Sequence, residues 1–230
     1  MSTAQQWLDV VTNNLANAST TGYKKDGLTF NDGLVRELAA NAGNGARIGS
    51  LGSGSTVQGA YTDFSVGAHT MTGNALDLAI RTPQGAFAVQ TPGGVKYTRD
   101  GSFQMSGDRQ IVDKQGHPVL NHQLQPITLG RGTIAVAEDG TVNVDGKPVD
   151  QIGVFSGAYV KEGQNLFTSR NAQVIDTPAI ATGALESSNV NAVEEMIAMI
   201  RLNRAFELAQ RSVQSQDEST QRLVSSLQGR

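Results

Sequence analysis

The sequence predicts an α+β protein. Helices at the two ends of the chain form a coiled-coil-like layer, and a mostly antiparallel β domain lies between them in the sequence. Three observations predict this. Apolar residues recur at helical spacing at both ends, the middle is built of short apolar alternations cut by turn dipeptides, and a Gly/Ser-rich stretch separates the first helix from that middle. The segments read as an N-terminal helix over 1–17, an extended connector over 18–56, a β-rich domain over 57–185 and the C-terminal helix with its approach over 186–230.

At the start, Ser2 followed by Gln5 fits a capping box, and Ala4, Leu8, Val11 and Leu15 recur at helical spacing with Trp7 beside them. The stripe ends by Asn17, inside the almost wholly polar run "NNLANASTTGYKK" of residues 13–25, whose side chains offer local bonds in place of helical ones. The connector follows, with residues 43–59, "GNGARIGSLGSGSTVQG", reading as flexible or as a long extended excursion.

From about Val57 the pattern changes. "LDLAI" precedes Pro83, "AFAVQT" and "VKYTR" flank Pro92-Gly93-Gly94, and "SFQMS" and "QIVD" flank Gly107-Asp108-Arg109. "TVNV" is bounded by Asp139-Gly140 and Asp145-Gly146, and Asp-Gly between alternating runs is a strong hairpin signal. Strands this short and numerous exclude a βαβ fold.

The C-terminal stretch has Asn191 as its N-cap and Glu194 and Glu195 in the first turn, where the helix dipole favours carboxylates. No Gly or Pro interrupts it before Gly229, so about 35 residues form one helix of roughly 50 Å. Glu207–Arg211 and Glu218–Arg222 are i,i+4 pairs on an exposed face. A heptad seam runs through Met196, Met199, Asn203, Phe206, Gln210, Val213, Asp217, Thr220, Val224 and Leu227. Its polar members weaken an isolated coiled coil and specify register or partner instead. The first helix is marginal alone in water, so both helices need a partner at the opposite end of the chain or in another subunit.

Composition narrows the function. The 230 residues are 38% hydrophobic and 5% aromatic, so the core is modest and made mainly of Val, Ile, Leu and Ala. A formal net charge of −3 gives no electrostatic reason for nucleic acid or an anionic membrane as partner. The absence of cysteine excludes disulfides and thiolate metal sites. No apolar run reaches the roughly 18 residues of a membrane span, so direct membrane insertion is not expected, and no cleaved secretory signal is visible.

No chemistry assembles. His69, His117 and His122 are the only histidines, and they read as solvent-facing loop or strand-end residues. "EDGTVNVDGKPV" resembles a calcium loop, but the alignment puts Thr141 and Ile152 where carboxylates are required. "GSLGSGS" lacks the lysine of a phosphate loop and the Gly-x-Ser-x-Gly elbow of a hydrolase. In "YTRDGSF", Asp100-Gly101 reads as a tight turn that Arg99 braces. The chain is not expected to be an enzyme, and no cofactor or metal is implied.

"NNLANASTTGYKK" resembles the N-terminal signature of bacterial flagellar rod and hook proteins. "GNALDLAI", "YTRDGSF" and "LESSNVNAVEEMIAMIRLNRAFELA" resemble, in order, their central and C-terminal motifs. The short central region and the "AFELAQRSV" tail are most similar to the proximal rod protein, with the distal rod protein next and the hook protein further. The resemblance implies a structural subunit of the basal-body rod, exported without a cleaved signal through the flagellar type III apparatus and stacked helically into a drive shaft across the periplasm. Its implied partners are copies of itself, neighbouring rod and hook proteins and the export apparatus. Relatives carry about a dozen residues before the position of Met1, so the first helix is expected to be short of its start.

On this reading the inner-layer contacts are Leu8, Val11 and Leu15 with Met196, Ile197, Ile200 and Phe206. Asn13, Asn14, Asn17, Thr21 and Gly22 set the turn and the bonds to neighbouring subunits, Gly22 through a positive φ. Gly22→Val is then expected to impair assembly more than β-domain stability. The termini are expected to become helical only on assembly. Two other classes compete: a monomeric β-rich binding or adhesive module, and an envelope hydrolase.

Overall fold

The computed structural model of the chain describes residues 2–31, 35–39, 47–52, 56–163 and 165–228. The Ser2 cap, most of the Gly/Ser stretch, and seam positions Val224 and Leu227 lie outside the residues whose side chains are described. The chain divides into two units: a helical unit of residues 1–15, 26–61 and 191–230, and a β unit of residues 16–25 and 62–190.

The helical unit holds α1, Ser2–Ala16, and α2, Ala192–Gln228, with four strands: β1, Asp26–Asn31; β2, Val35–Ala39; β3, Arg47–Gly52; and β4, Thr56–Thr62. β1 pairs with β4, and β2 pairs antiparallel with β3. The segment expected as an extended connector is therefore extended but paired. Glycines in "RIGSLG" and "TVQGAYT" interrupt the alternation by which strands are recognised. α2 starts as expected: the Asn191 Oδ1 accepts the Val193 N–H at 3.1 Å, and Glu194 and Glu195 occupy the first turn. At 37 residues it is about 55 Å long, and Glu218 and Arg222 pair across one turn at 3.9 Å.

Among its described residues the β unit contains fifteen short strands. They are β5, His69–Met71; β6, Leu78–Ile80; β7, Gly85–Thr91; β8, Gly94–Thr98; β9, Gln104–Met105; β10, Ile111–Val112; β11, Ile134–Val136; and β12, Thr141–Val144. They continue as β13, Lys147–Gln151; β14, Val154–Ser156; β15, Val160–Gly163; β16, Leu166–Thr168; β17, Gln173–Val174; β18, Ile180–Thr182; and β19, Ala184–Glu186. Six form one antiparallel sheet in the order β15-β16-β8-β7-β14-β17. β11-β12-β13 form a second, and β18-β6, β19-β5 and β10-β9 are antiparallel pairs.

The hairpins fall where the turn dipeptides place them. β7 and β8 close through Pro92-Gly93, and β12 and β13 close through Asp145 and Gly146, both at positive φ (50° and 77°) as a tight two-residue hairpin requires.

The centre of the six-stranded sheet, at β7 and β14, is buried on both faces, and alternation along the strands sorts side chains into two cores. Phe87, Val89 and Val154 enter the larger one with Leu78, Ile80, Ile111, Val119, Ile127, Val142 and Ile152. Ala86, Ala88, Tyr97, Phe155 and Phe167 face the other way, where the small alanines leave room for aromatic rings. Phe64, Tyr97, Phe155, Tyr159 and Phe167 cluster there with centroids 5.0–6.2 Å apart. A low aromatic content suffices because it is concentrated.

Candidate assembly face and the junction of the sequence motifs

α2 carries two apolar stripes. Ala192, Glu195, Met199, Leu202 and Phe206 are buried or half-buried, and at 100° per residue they lie on one side of the helix. Val193, Ile197 and Ile200 lie on a second face, with Met196 at its border with the first, and the four are 59%, 45%, 52% and 44% exposed. Leu208 and Val213 are also exposed further along the helix, Val213 in line with Glu195.

The predicted inner-layer residues thus divide. Val11 is 2% exposed, Leu8, Leu15 and Phe206 are half-buried, and Met196, Ile197 and Ile200 stand open. The sheltered stripe includes Glu195, which the predicted seam lacks, because a carboxylate in a seam is invisible to an apolar pattern. Glu195 is 3% exposed.

The signature after α1 is engaged within the chain. Asn14 is buried and makes a reciprocal pair with the Asp26 backbone, Nδ2 donating to O at 2.9 Å and Oδ1 accepting the N–H at 3.0 Å. Asn17 Oδ1 accepts from the Thr20 hydroxyl at 3.1 Å, which holds the turn, while Asn13 is exposed. Residues 21–25 are bonded at every position within the β unit. Thr21 O accepts from Asn165 Nδ2, Gly22 N–H donates to Glu186 O at 2.7 Å, Lys24 O accepts from Lys161 Nζ, and Lys25 N–H donates to Asn189 Oδ1.

Gly22 has φ +66°, and a Cβ there would lie 2.4 Å from the backbone C and O of Arg99. The positive φ is as expected. The expectation that Gly22→Val impairs assembly more than β-domain stability is revised, because the residue is packed against the Arg99 backbone inside that domain.

Three motifs meet at this point. Lys24 of "TGYKK", Arg99 of "YTRDGSF" and Glu186 of "LESSN" all have fully buried side chains. Glu186 Oε1 accepts from Lys24 Nζ at 2.6 Å and from the Gly67 N–H at 2.8 Å. Its Oε2 lies 3.2 Å from Arg99 Nε, near enough for an ion pair but not aligned as a hydrogen bond. Arg99 Nη1 donates to Thr82 O at 3.1 Å and Gly85 O at 2.8 Å, and Lys24 Nζ also donates to Ser65 O at 2.6 Å.

Arg99 is therefore a buried tie rather than a brace on its own turn. At Asp100-Gly101 the chain folds onto β6, and a Cβ on Gly101 would meet the Leu78 carbonyl at 1.7 Å. Sequence reasoning did not join these charges. The available signal was a basic residue in each of two motifs and a single carboxylate in the third.

Two cations share one anion, and the electrostatics follow. Burial, then the neighbouring Arg99, pushes the Lys24 ammonium below its ordinary value, with Glu186 opposing. Burial likewise lowers Arg99 and raises the phenols of Tyr97 and Tyr159.

The histidines differ from expectation. All three are half-buried, and His117 Nδ1 sits 2.9 Å from Asp113 Oδ2 in a turn whose backbone N–H groups also bond that carboxylate. Among the described residues no three His, Cys, Asp or Glu side chains converge as a metal site, and no helix is long and apolar enough to cross a membrane.

Three family models match the chain: the flagella basal body rod protein over residues 1–24, the flagellar hook protein FlgE/F/G D1 domain over 79–144, and the flagellar basal body rod FlgEFG protein C-terminal region over 181–226. The flagellar basal-body rod protein FlgG of Bacillus subtilis is 33% identical over 250 residues, covering 97% of this chain and 94% of its own. FlgF of Caulobacter vibrioides is 35% identical over 219 residues, covering 89% and 85%. FlgG of Borreliella burgdorferi is 30% identical over 243 residues, covering 94% and 91%.

Proposed function

This chain belongs to the flagellar basal-body rod protein family, and from that membership and the two-sided helix α2 we propose that it is a structural rod subunit that self-assembles helically through its terminal helices. The observation that carries the assembly mode is the open stripe of Val193, Met196, Ile197 and Ile200 beside a sheltered one. The sheltered side serves the subunit's own helical unit, and the open side is covered by helices of neighbouring copies. Leu8, Val11, Leu15 and Phe206 act on the first side. Met196, Ile197 and Ile200 act on the second.

The chain acts by transmitting torque in the rod and needs no cofactor or catalysis. It reaches the rod by the flagellar export route without a cleaved signal, and its neighbours there are other rod and hook proteins. The short central region and the "AFELAQRSV" tail favour the proximal section of the rod over the distal one. Ordering of the helices accompanies assembly, which holds dilute monomers apart.

The test is Ile197→Glu combined with Ile200→Glu. These two replacements leave the thermal midpoint of the monomer within about 4 °C, since each exposed site changes stability by less than about 0.5 kcal/mol. They remove the subunit from purified basal bodies and abolish swimming. Normal incorporation would overturn the assembly mode. A monomer in which both stripes are buried would instead favour the stand-alone binding module.

A further inference from the structure

Asn189 stands where three stretches of chain meet. Its Oδ1 accepts the Lys25 N–H at 2.8 Å, and its Nδ2 is within bonding distance of Asp63 O (2.9 Å), Ser65 Oγ (3.0 Å) and Ser65 O (3.3 Å). Its own N–H is directed to Tyr23 O at 3.4 Å, and the Asp63 N–H donates to Lys25 O at 2.8 Å. Ser65 O also accepts from Lys24 Nζ, which links this hub to the buried Lys24–Glu186–Arg99 cluster.

The chain enters the β unit at Ala16, passes out after Lys25, returns at Thr62 and passes out again after Val190, and the hub residues stand at the last three of these four crossings. One side-chain amide therefore ties those three crossings together using groups of the β unit alone. The chemistry is specific to asparagine. The hub presents one N–H that needs an acceptor and several oxygens that need donors, and an amide supplies both. Aspartate keeps the acceptor but sets an anion against carbonyl oxygens, and alanine supplies neither.

We propose that Asn189 is a positioning residue for assembly: it gathers the crossings after Lys25, before Thr62 and after Val190, so that the segments bearing β1–β4 and α2 start from fixed points whether or not those elements are ordered. The inference rests on the rod-subunit reading for its swimming readout only.

Amide hydrogen exchange by NMR on the full-length monomer tests it. In the native chain the Lys25 and Asp63 amides exchange as slowly as those of Leu120 and Ile152. In Asn189→Ala the Lys25 amide speeds up about tenfold or more, while Leu120 and Ile152 stay within about twofold. In cells whose own copy is deleted, Asn189→Ala at native abundance gives less than half the native swimming zone. Asn189→Asp retains the Lys25 bond and loses the donors, so Lys25 stays slow, Asp63 speeds up and swimming still falls. This second variant is read alone if the alanine variant does not fold.

Fast exchange of Lys25 in the native chain would overturn the proposal. So would loss of protection spread equally to Leu120 and Ile152, which marks a merely structural residue, or full swimming with Lys25 deprotected. Failure of the rod-subunit reading is distinguishable, because cells lacking the chain altogether would then swim normally.

Discussion

Replacing Glu186 by glutamine removes one charge and almost no volume, and it strikes the point where three motifs meet. The carboxylate faces donors on both oxygens: Lys24 Nζ and the Gly67 N–H at Oε1, and Arg99 Nε at Oε2. A carboxamide has one acceptor, so either orientation points its NH2 at a donor, and two buried cations lose the carboxylate they share. Breaking a buried ion pair in this way costs about 3–5 kcal/mol, a large part of the 5–15 kcal/mol typical of a domain.

Lys24→Met provides the contrast. It removes a cation that burial and Arg99 already disfavour, and leaves Glu186 with Arg99 and Gly67. Its cost is the bond to Ser65 O and the charge-assisted bond to Glu186, about 2 kcal/mol or less. The double variant Glu186→Gln with Lys24→Met is then more stable than Glu186→Gln alone. Urea unfolding of the full chain, followed by near-ultraviolet circular dichroism from the aromatic cluster, measures all four forms. Equal costs for the two single changes, or strict additivity in the double, would refute this charge balance.

Gly22→Val forces a branched side chain into φ +66° and against the Arg99 backbone at 2.4 Å. The left-handed conformation alone costs roughly 1–2 kcal/mol, so the same unfolding assay is expected to show β-unit stability and rod incorporation lost together. Folded β unit with failed incorporation would restore the earlier division of labour. In alkali, Tyr97 and Tyr159 keep their protons in the folded state above the ordinary value of 10.0, where the unfolded chain loses them, so the β unit loses stability as pH rises beyond about 10. Lys24, lowered by burial, acts in the opposite sense below its ordinary 10.5. The urea midpoint at pH 9 and pH 11 shows the slope, and Tyr159→Phe flattens it; an unchanged slope in that variant contradicts the assignment.

Much of this architecture was legible because it is written in local patterns. Asp145-Gly146 announces its hairpin, Asn191 its helix cap, and the stripe through Leu8, Val11 and Leu15 its helix. What escaped was long-range. Lys24 and Glu186 are 162 positions apart, and no periodicity connects them. Glu195 sits in the sheltered stripe of α2, where an apolar template passes over a carboxylate. Asn14 and Asn189 work by copying backbone hydrogen bonds, a role that a polar residue's identity alone does not reveal. The paired strands within residues 26–62 were hidden by glycines that blur alternation.

The central claim is that the open stripe of α2 is closed by neighbouring copies in the rod. Because the chain has no cysteine, Ile197→Cys carries a single thiol, and its reaction with maleimide can be followed in the monomer and in purified basal bodies. The account predicts a thiol that reacts readily in the monomer and at least tenfold more slowly in the rod, as burial at a close-packed interface requires. Equal reactivity in both states would contradict it.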